Sequence, residues 1–542
     1  MHDDVNSVED FDRTIERVEN ALIWIKRERN SRLPVSRLPN EVLLEIFTYL
    51  TPKGPAIRSY FFTSGKMGWL SFTYVCQSWR TIALDHAPLW IYPDLSISGL
   101  AVAMIQRSKN ATLHIIIPDD LDLRRDVAHT ILNEISRVET FNMTVTDRSI
   151  SNLRVLIGRL IQPAPRLRLL SFQIKTTQNI ALPSEFFALD TPLLDTVSLH
   201  RCPVPWGSPM LKNVTSLRLS GNGGHIPSGQ QFLETLRRMP SLQKLELSSM
   251  APLSIEGEDV VHMPHLRRLV LSQGDTSCAC VLEHVTFPST TSVILRCQTS
   301  SDEDHFVPLW SALSKMYSWS QEGMTVLRVY ADIDQYYELA IEGWKTGNAS
   351  IPTHCTLSHC LGPSCLELYL TRSSYNARVL SQVDVARALR SVWSTSIEVV
   401  HIGGYLDLED DDTDEDDNDP FPPEREDLFP IFFEELVWST GLKRLTVAGR
   451  DWATRLAFAL ALPDDKGVPS DSPIPFPSLI DLSLSSIPTA GTTAIVDKLV
   501  KSLKWRMEHD RKLRSLSFRC CQGITEEQLE SLRRVVMEVQ QD

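Results

Sequence analysis

PSLQKLEL, residues 240–247, decides the fold of this chain, because the sequence returns to it. The unit P-x-L-x-x-L-x-L recurs, with substitutions, as PRLRLLSF from Pro165, PLLDTVSL from Pro192, PHLRRLVL from Pro264 and PSLIDLSL from Pro477. Copies without the proline read NVTSLRL from Asn213, GLKRLTV from Gly441 and KLRSLSF from Lys512. Weaker ones lie at 138–143, Cys365 to Leu370 and Ile397 to Ile402. The first apolar positions, 138, 167, 194, 214, 242 and 266, are separated by 29, 27, 20, 28 and 24 residues. Later gaps widen, so the C-terminal half carries longer excursions.

Alternate side chains of a strand point to one face, so each unit places its leucines on one side and its intervening residues on the other. No single unit closes a core; stacked units bury one continuous row of leucine. The spacing is that of leucine-rich repeats, and it predicts a mixed α/β solenoid over 100–542 with a parallel sheet on its concave side. Gly229 to Arg238 and Gly491 to Lys504 read as helical return segments. Thr525 to Glu538 reads as a last helix, with Leu529, Leu532, Val535 and Val536 on one face, positioned to cap the open end.

Ahead of the repeats, residues 37–50 read RLPNEVLLEIFTYL and residues 72–90 read FTYVCQSWRTIALDHAPLW. Leu38-Pro39 suits the opening of a helix, since proline lacks the N–H that a first turn leaves unbonded. Val42, Leu43, Ile46, Phe47 and Leu50 then recur at helical spacing, as do Phe72, Val75, Cys76, Trp79 and Ala83. So short a stretch cannot bury this much apolar surface within itself.

The order LP-x-E-V-L-x-x-I-F-x-x-L, then V-C-x-x-W-R-x-I-A, then P-x-L-W, resembles the F-box, most of all the form found in mushroom-type fungi. The resemblance spans 35–95, with an inserted loop near 51–71 that is longer than a compact F-box needs. It implies an all-α three-helix module docking onto a Skp-type adaptor, and through it onto a cullin-based ubiquitin ligase. The adaptor-binding residues it implies are Leu38, Pro39, Glu41, Val42, Leu43, Ile46, Phe47, Val75, Cys76, Trp79, Leu89 and Trp90.

Residues 7–30 carry a heptad seam: Val8, Phe11, Ile15, Val18, Leu22 and Ile25 alternate by three and four. The helix either packs onto the F-box or pairs with another chain as a coiled coil. The net charge of −14 argues against a nucleic-acid or membrane binder. Ten acidic residues and no basic one lie between Asp407 and Asp419, so the remainder balances 58 carboxylates against 54 Lys and Arg. The surrounding stretch, 405–426, is expected to be a disordered acidic loop. No run of 18 apolar residues exists and the N-terminus is acidic; the ten cysteines are thinly spread. An intracellular protein of the cytoplasm or nucleus, with reduced thiols, is expected.

His354, Cys355, His359, Cys360 and Cys365 offer zinc-like ligands but match no standard spacing, and neither metal nor cofactor is expected. No phosphate-cradling glycine loop or nucleophile motif is present, so the chain does not read as an enzyme. Its expected role is that of a substrate-recognition subunit of an SCF-type ligase. The unknown substrate protein would meet the residues between the inward leucines: Ser198, Arg218, Glu246, Val270, Tyr369, His401, Thr446, Ser483 and Ser517. The alternative is a non-ligase repeat scaffold whose F-box-like helices only cap the solenoid.

Overall fold

The computed structural model describes residues 8–51, 68–119, 121–176, 178, 180, 183, 185–202, 206–221, 226–299, 306–318, 324–332, 338–345, 364–372, 392, 396–403, 436–449, 453, 456–457, 459–460, 474–487 and 492–541. Two compact units result, one of Met1–Pro203 with Ser208–Val214, the other of Val204–Gly207 with Thr215–Asp542. His354, Cys355, His359, Cys360 and the acidic stretch 405–426 lie outside the described residues.

The first unit opens with helices α1 (Val8–Ser31), α2 (Asn40–Leu50), α3 (Phe72–Val75), α4 (Gln77–Asp85) and α5 (Ser98–Arg107). Strand β1 (Leu113–Ile117), helix α6 (Arg125–Asn133), β2 (Val138–Val145), α7 (Ile150–Gly158), β3 (Leu169–Ile174) and β4 (Thr196–His200) follow. The four strands form a parallel sheet in chain order.

The second unit begins with β5 (Ser216–Ser220), α8 (Gly229–Arg237), β6 (Lys244–Ser248), β7 (Val261–His262) and β8 (Arg268–Gln273). Helix α9 (Asp275–His284), β9 (Val285–Thr286), β10 (Ser292–Thr299), α10 (Val307–Ser318), β11 (Val326–Asp332) and β12 (Glu338–Trp344) come next. Then β13 (Leu366–Arg372), β14 (Val399–Gly403), β15 (Arg444–Ala448), β16 (Asp481–Ser485), α11 (Thr492–Glu508), β17 (Ser515–Arg519), α12 (Glu526–Val535) and β18 (Glu538–Gln541) complete it. Helical N-terminus and mostly parallel sheet give the mixed α/β, leucine-rich-repeat-like fold that the sequence pattern predicts.

Each P-x-L copy enters its strand by the same turn. The first leucine's amide donates to the carbonyl three residues back: Leu167 to Ala164, Leu194 to Thr191, Leu242 to Met239, Leu266 to Met263 and Leu479 to Phe476, at 3.0–3.2 Å. Proline occupies the second position of that turn, where its fixed φ is already the one required. Asn213's copy makes the same bond without proline, Val214 to Leu211 at 3.2 Å. Beyond the turn, the leucines sink: Leu245, Leu247, Leu269, Leu271, Leu445, Leu482 and Leu484 are buried. Helix α8 is stapled at its start by a capping box between Ser228 and Gln231.

Two features depart from the expected array. Strands β11 and β12 form an antiparallel pair inside the sheet, and the neighbours run β10–β13–β12–β11–β14. The last helix stops at Val535, and Glu538–Gln541 adds a parallel strand beside β17. The predicted capping helix is thus shorter, and the end is an edge strand, short and polar enough not to invite further pairing.

Buried arginines pin turns in both units. Arg137, just ahead of β2, donates to the carbonyls of Ile105 (2.9 Å) and Ala111 (2.8 Å), to Ser108 Oγ (2.9 Å) and to Glu134 (2.7 Å). Arg506 of α11 donates to the carbonyls of Pro475, Phe476 and Leu479, fixing the turn ahead of β16, and burial lowers its pKa to about 10. Replacing Arg137 by Ala strands the Ala111 carbonyl, whereas the Ile105 carbonyl keeps the Ser108 hydroxyl as a donor, and should cost about 3 kcal/mol. Hydrogen exchange should accelerate selectively in β1 and β2, and Arg137→Lys should restore only part of the protection, because an ammonium cannot span the fork.

Candidate functional site

The helical module of the first unit has a core of its own. Leu43, Phe47, Leu70, Phe72, Ala83, Leu89, Trp90 and Met104 are buried together. Phe47 stacks on Phe72 with centroids 4.4 Å apart and lies 5.3 Å from Trp79. Trp90 donates its indole N–H to the carbonyl of Ala83 at 2.9 Å, and the Arg107 guanidinium sits 4.9 Å over its ring. Cys76 caps α4, its Sγ accepting the Trp79 amide at 3.5 Å. Desolvation keeps the pKa of His86, at the turn after α4, below its ordinary value.

Helix α2 is two-faced. Leu43 and Phe47 point into this core, whereas Leu38 and Pro39 just ahead of the helix, and Val42 (40%) and Ile46 (41%) within it, are exposed. Residues spaced by four share a helix face, so Val42, Ile46 and Leu50 line one stripe of α2, and Leu38 is exposed in the extended backbone that leads into it. Val75 and Tyr74 on α3 add exposed apolar surface, and Glu41 is exposed. A cleft of about 550 Å³ opens beside Leu38, Leu43, Cys76, Trp79 and Ile82, with Asn30 on its rim.

The twelve residues expected to bind an adaptor therefore divide. Leu38, Pro39, Glu41, Val42, Ile46 and Val75 are available on the surface; Cys76 and Trp79 are half-buried. Leu43, Phe47, Leu89 and Trp90 are buried in the core and offer no surface to a partner. Tyr49, Leu50 and Tyr74 belong to the exposed set but were not among the expected residues. For Tyr49 and Leu50 the helical positions relative to Val42 and Ile46 were the available signal; Tyr74 lies on another helix and had none.

The residues between the leucines fall into register rows. In the second unit one row runs Arg218, Glu246, Val270, Ile294, Glu367, Glu342, Arg328, His401, Thr446, Ser483, Ser517. Tyr369 belongs to the next row on the same face, opposite Arg296. Ser198 lies in the first unit, in a row with Ser171 and Asn142. Val270 is buried, which removes it from any binding face. Glu342 and Arg328 were missed because β11 and β12 lack the leucine signature, although VLRVYAD and ELAIEGW both alternate.

Several charges in and beside the row are matched internally. Arg218 pairs with Glu246, Arg328 with Glu342 at 3.2 Å, and Asp481 receives Arg444 at 3.5 Å and Arg514. The Tyr369 hydroxyl lies 3.2 Å from Glu342 and 3.4 Å from Glu367; burial first, then these carboxylates, raise its pKa. Burial, reinforced by Arg328 and Arg444, lowers His401 to about 4. Among the described residues no three His, Cys, Asp or Glu side chains group to hold a metal. Cys365 is half-buried, with its thiol toward the carbonyl of Gly343 at 3.2 Å. No helix among the described residues is long and apolar enough to cross a membrane.

Residues 35–96 match the F-box-like family model. The chain thus carries an F-box-like domain followed by a leucine-rich-repeat-like region. No curated protein matches it. A solved leucine-rich-repeat protein of Leptospira interrogans is similar over 83% of this chain and 99% of its own, at 11% identity and a TM-score of 0.26. At that score the likeness adds nothing to the topology.

Two tests follow from the geometry. Phe47→Ala should destabilise the helical module by about 3–5 kcal/mol, whereas Ile46→Asp should shift its stability by no more than about 0.5 kcal/mol, as read by hydrogen exchange over residues 40–107. His401 has its folded pKa below the usual 6.5, so the unfolded chain takes up the proton first as pH falls. The stabilisation is complete above pH 6.5 and is lost toward pH 4, by roughly 3 kcal/mol. Comparing His401→Gln with the parent in urea titrations across that window should show a correspondingly flatter pH dependence for the variant.

Proposed function

We propose that this chain is a non-catalytic substrate-recognition subunit of an SCF-type ubiquitin ligase, docking through its F-box-like domain onto a Skp-type adaptor. The observation that carries the reading is the two-faced α2. The described core of the module does not use Leu38, Val42 or Ile46, yet Val42 and Ile46 stand exposed as an apolar stripe of α2 and Leu38 is exposed just ahead of it. A stripe of this kind fits a partner's groove, with a few buried anchors supplying the affinity. The motif order over residues 37–90 supports grouping the domain with those of mushroom-type fungi.

The repeats would hold a substrate protein near a ubiquitin-carrying enzyme on the cullin scaffold. Their contribution is effective concentration, not chemistry. Arg218, Glu246, Tyr369, His401, Thr446, Ser483 and Ser517, with Ser198 on the first unit, are the side chains left to meet it. An intracellular setting, in cytoplasm or nucleus, accompanies this role.

One observation favours the second reading, a scaffold whose helices merely cap the first repeat. Met104 shares the module's core, Lys109 pairs with Asp85 at 3.0 Å, and the His114 amide donates to Ile91 at 2.9 Å, so the module does cover the start of the sheet. Capping gives no role to the outward stripe. Co-purification with a purified Skp-type adaptor separates the two: the parent chain should retain it, and Val42→Asp with Ile46→Asp should weaken capture at least ~100-fold. Failure of the folded parent to bind, where a known F-box protein binds, leaves only the cap.

A further inference from the structure

Helix α1 spans 24 residues and buries none of them. Its length is about 36 Å. Val8, Phe11, Ile15, Val18, Leu22 and Ile25 keep the a and d positions of a heptad for three repeats, and all six are 48–76% exposed. The other reading from the sequence, a helix packed onto the F-box-like module, has no buried side chain behind it among the described residues: that module closes its core with Leu43, Phe47, Phe72 and Trp90, and only the end of α1, at Arg27, Asn30 and Ser31, reaches the cleft beside it. A sustained a/d stripe left in water is a seam without its second strand.

The charges along the helix identify that strand. From Val8 to Glu19 five carboxylates (Glu9, Asp10, Asp12, Glu16, Glu19) stand against Arg13 and Arg17; from Asn20 to Ser31 Lys26, Arg27 and Arg29 stand against Glu28. The helix is thus acidic in its first half and basic in its second. A parallel copy sets like halves side by side, whereas an antiparallel copy sets each acidic half against a basic one and opposes the two helix dipoles. Antiparallel alignment also brings a against d throughout: Val8 meets Ile25 of the second copy, Phe11 meets Leu22, and Ile15 meets Val18. Ile23 and Trp24 fall at b and c, outside a two-stranded seam.

We infer that α1 is a self-association element, through which two copies of this chain pair as an antiparallel coiled coil. The pairing needs no contribution from the F-box-like surface, because Leu38, Val42 and Ile46 lie beyond the helix. A dimer carries two such surfaces and two repeat regions, so a substrate with two binding segments would be held by both.

Sedimentation equilibrium of the full chain should show a concentration-dependent dimer. Ile15→Asp with Leu22→Asp places charge in the seam and should raise the dissociation constant at least ~100-fold. Both positions are exposed in the single chain, so thermal unfolding of the rest should not change. For orientation, V8C and I25C chains mixed and oxidised should yield the disulfide between the two variants and no disulfide between two V8C chains. A monomer at every concentration, a dimer indifferent to the two aspartates, or a V8C–V8C product each overturns the inference. So does a monomer that instead binds vesicles of anionic lipid through the same side chains.

Discussion

Register is the constraint on which the rest of the molecule depends. Side chains alternate along a strand, so a slip of one residue would turn every buried leucine to solvent and every outward polar group into the core. The turn at each first leucine sets where the alternation starts, and proline fixes that turn in five copies. Paired strands then keep the leucines level from one repeat to the next. At the strand exits the backbone turns sharply: Arg201, Ser249, Ser486 and Cys520 all adopt φ near +50° directly after their strands, and Gly449 does so at +96°. A left-handed residue costs about 1–2 kcal/mol unless it is glycine. That four side-chain-bearing residues accept it shows how strongly the flanking ladders dictate the path.

The helical module solves a different problem. It is too small to hide all its apolar surface, and α2 divides the load between two faces. The inward face is secured by aromatic packing, Phe47 on Phe72 and Trp69 beside Trp90, and by the Trp90 bond to Ala83. Because that core is satisfied, the outward stripe is free of any structural duty within the module. The same logic applies to α1, whose seam no other described element covers. Apolar residues that recur at regular spacing and that no other described element covers are surface a partner can use.

Much of this was legible from spacing. The leucine unit announced the strands β2 to β6, β8 and β13 to β17, and the Leu-Pro and Cys-x-x-Trp-Arg order announced the module. Helical periodicity could not tell which apolar residues of α2 face inward, because Val42 and Leu43 are adjacent in sequence and equally apolar; only packing against Phe72 separates them. Strands β11 and β12 escaped notice since alternation without a preceding turn signal is weak. The end of α12 was misjudged because Val535 and Val536 continue the helical stripe. Val539 pairs with Leu516 as a strand instead, an option opened by the vacant edge of β17, which no local pattern announces.

The outward rows bear on how the repeats could discriminate a partner. Several of their charged groups are already matched, Arg218 with Glu246, Arg328 with Glu342, and Asp481 with two arginines, while Lys244 and Arg268 stand as like-charged neighbours in register. A partner bringing one strong charge would have to compete with these contacts, and exposed ion pairs contribute little to affinity in any case. Hydroxyls make up the other stretch, where Ser517 donates to Ser483 at 2.8 Å and Thr446 sits in the same row. A face composed of neutralised pairs and hydroxyls rewards close fit and well-placed hydrogen bonds over net charge. Selectivity on such a surface comes from leaving a wrong partner's polar groups unpaired, and that penalty grows with every buried group it strands.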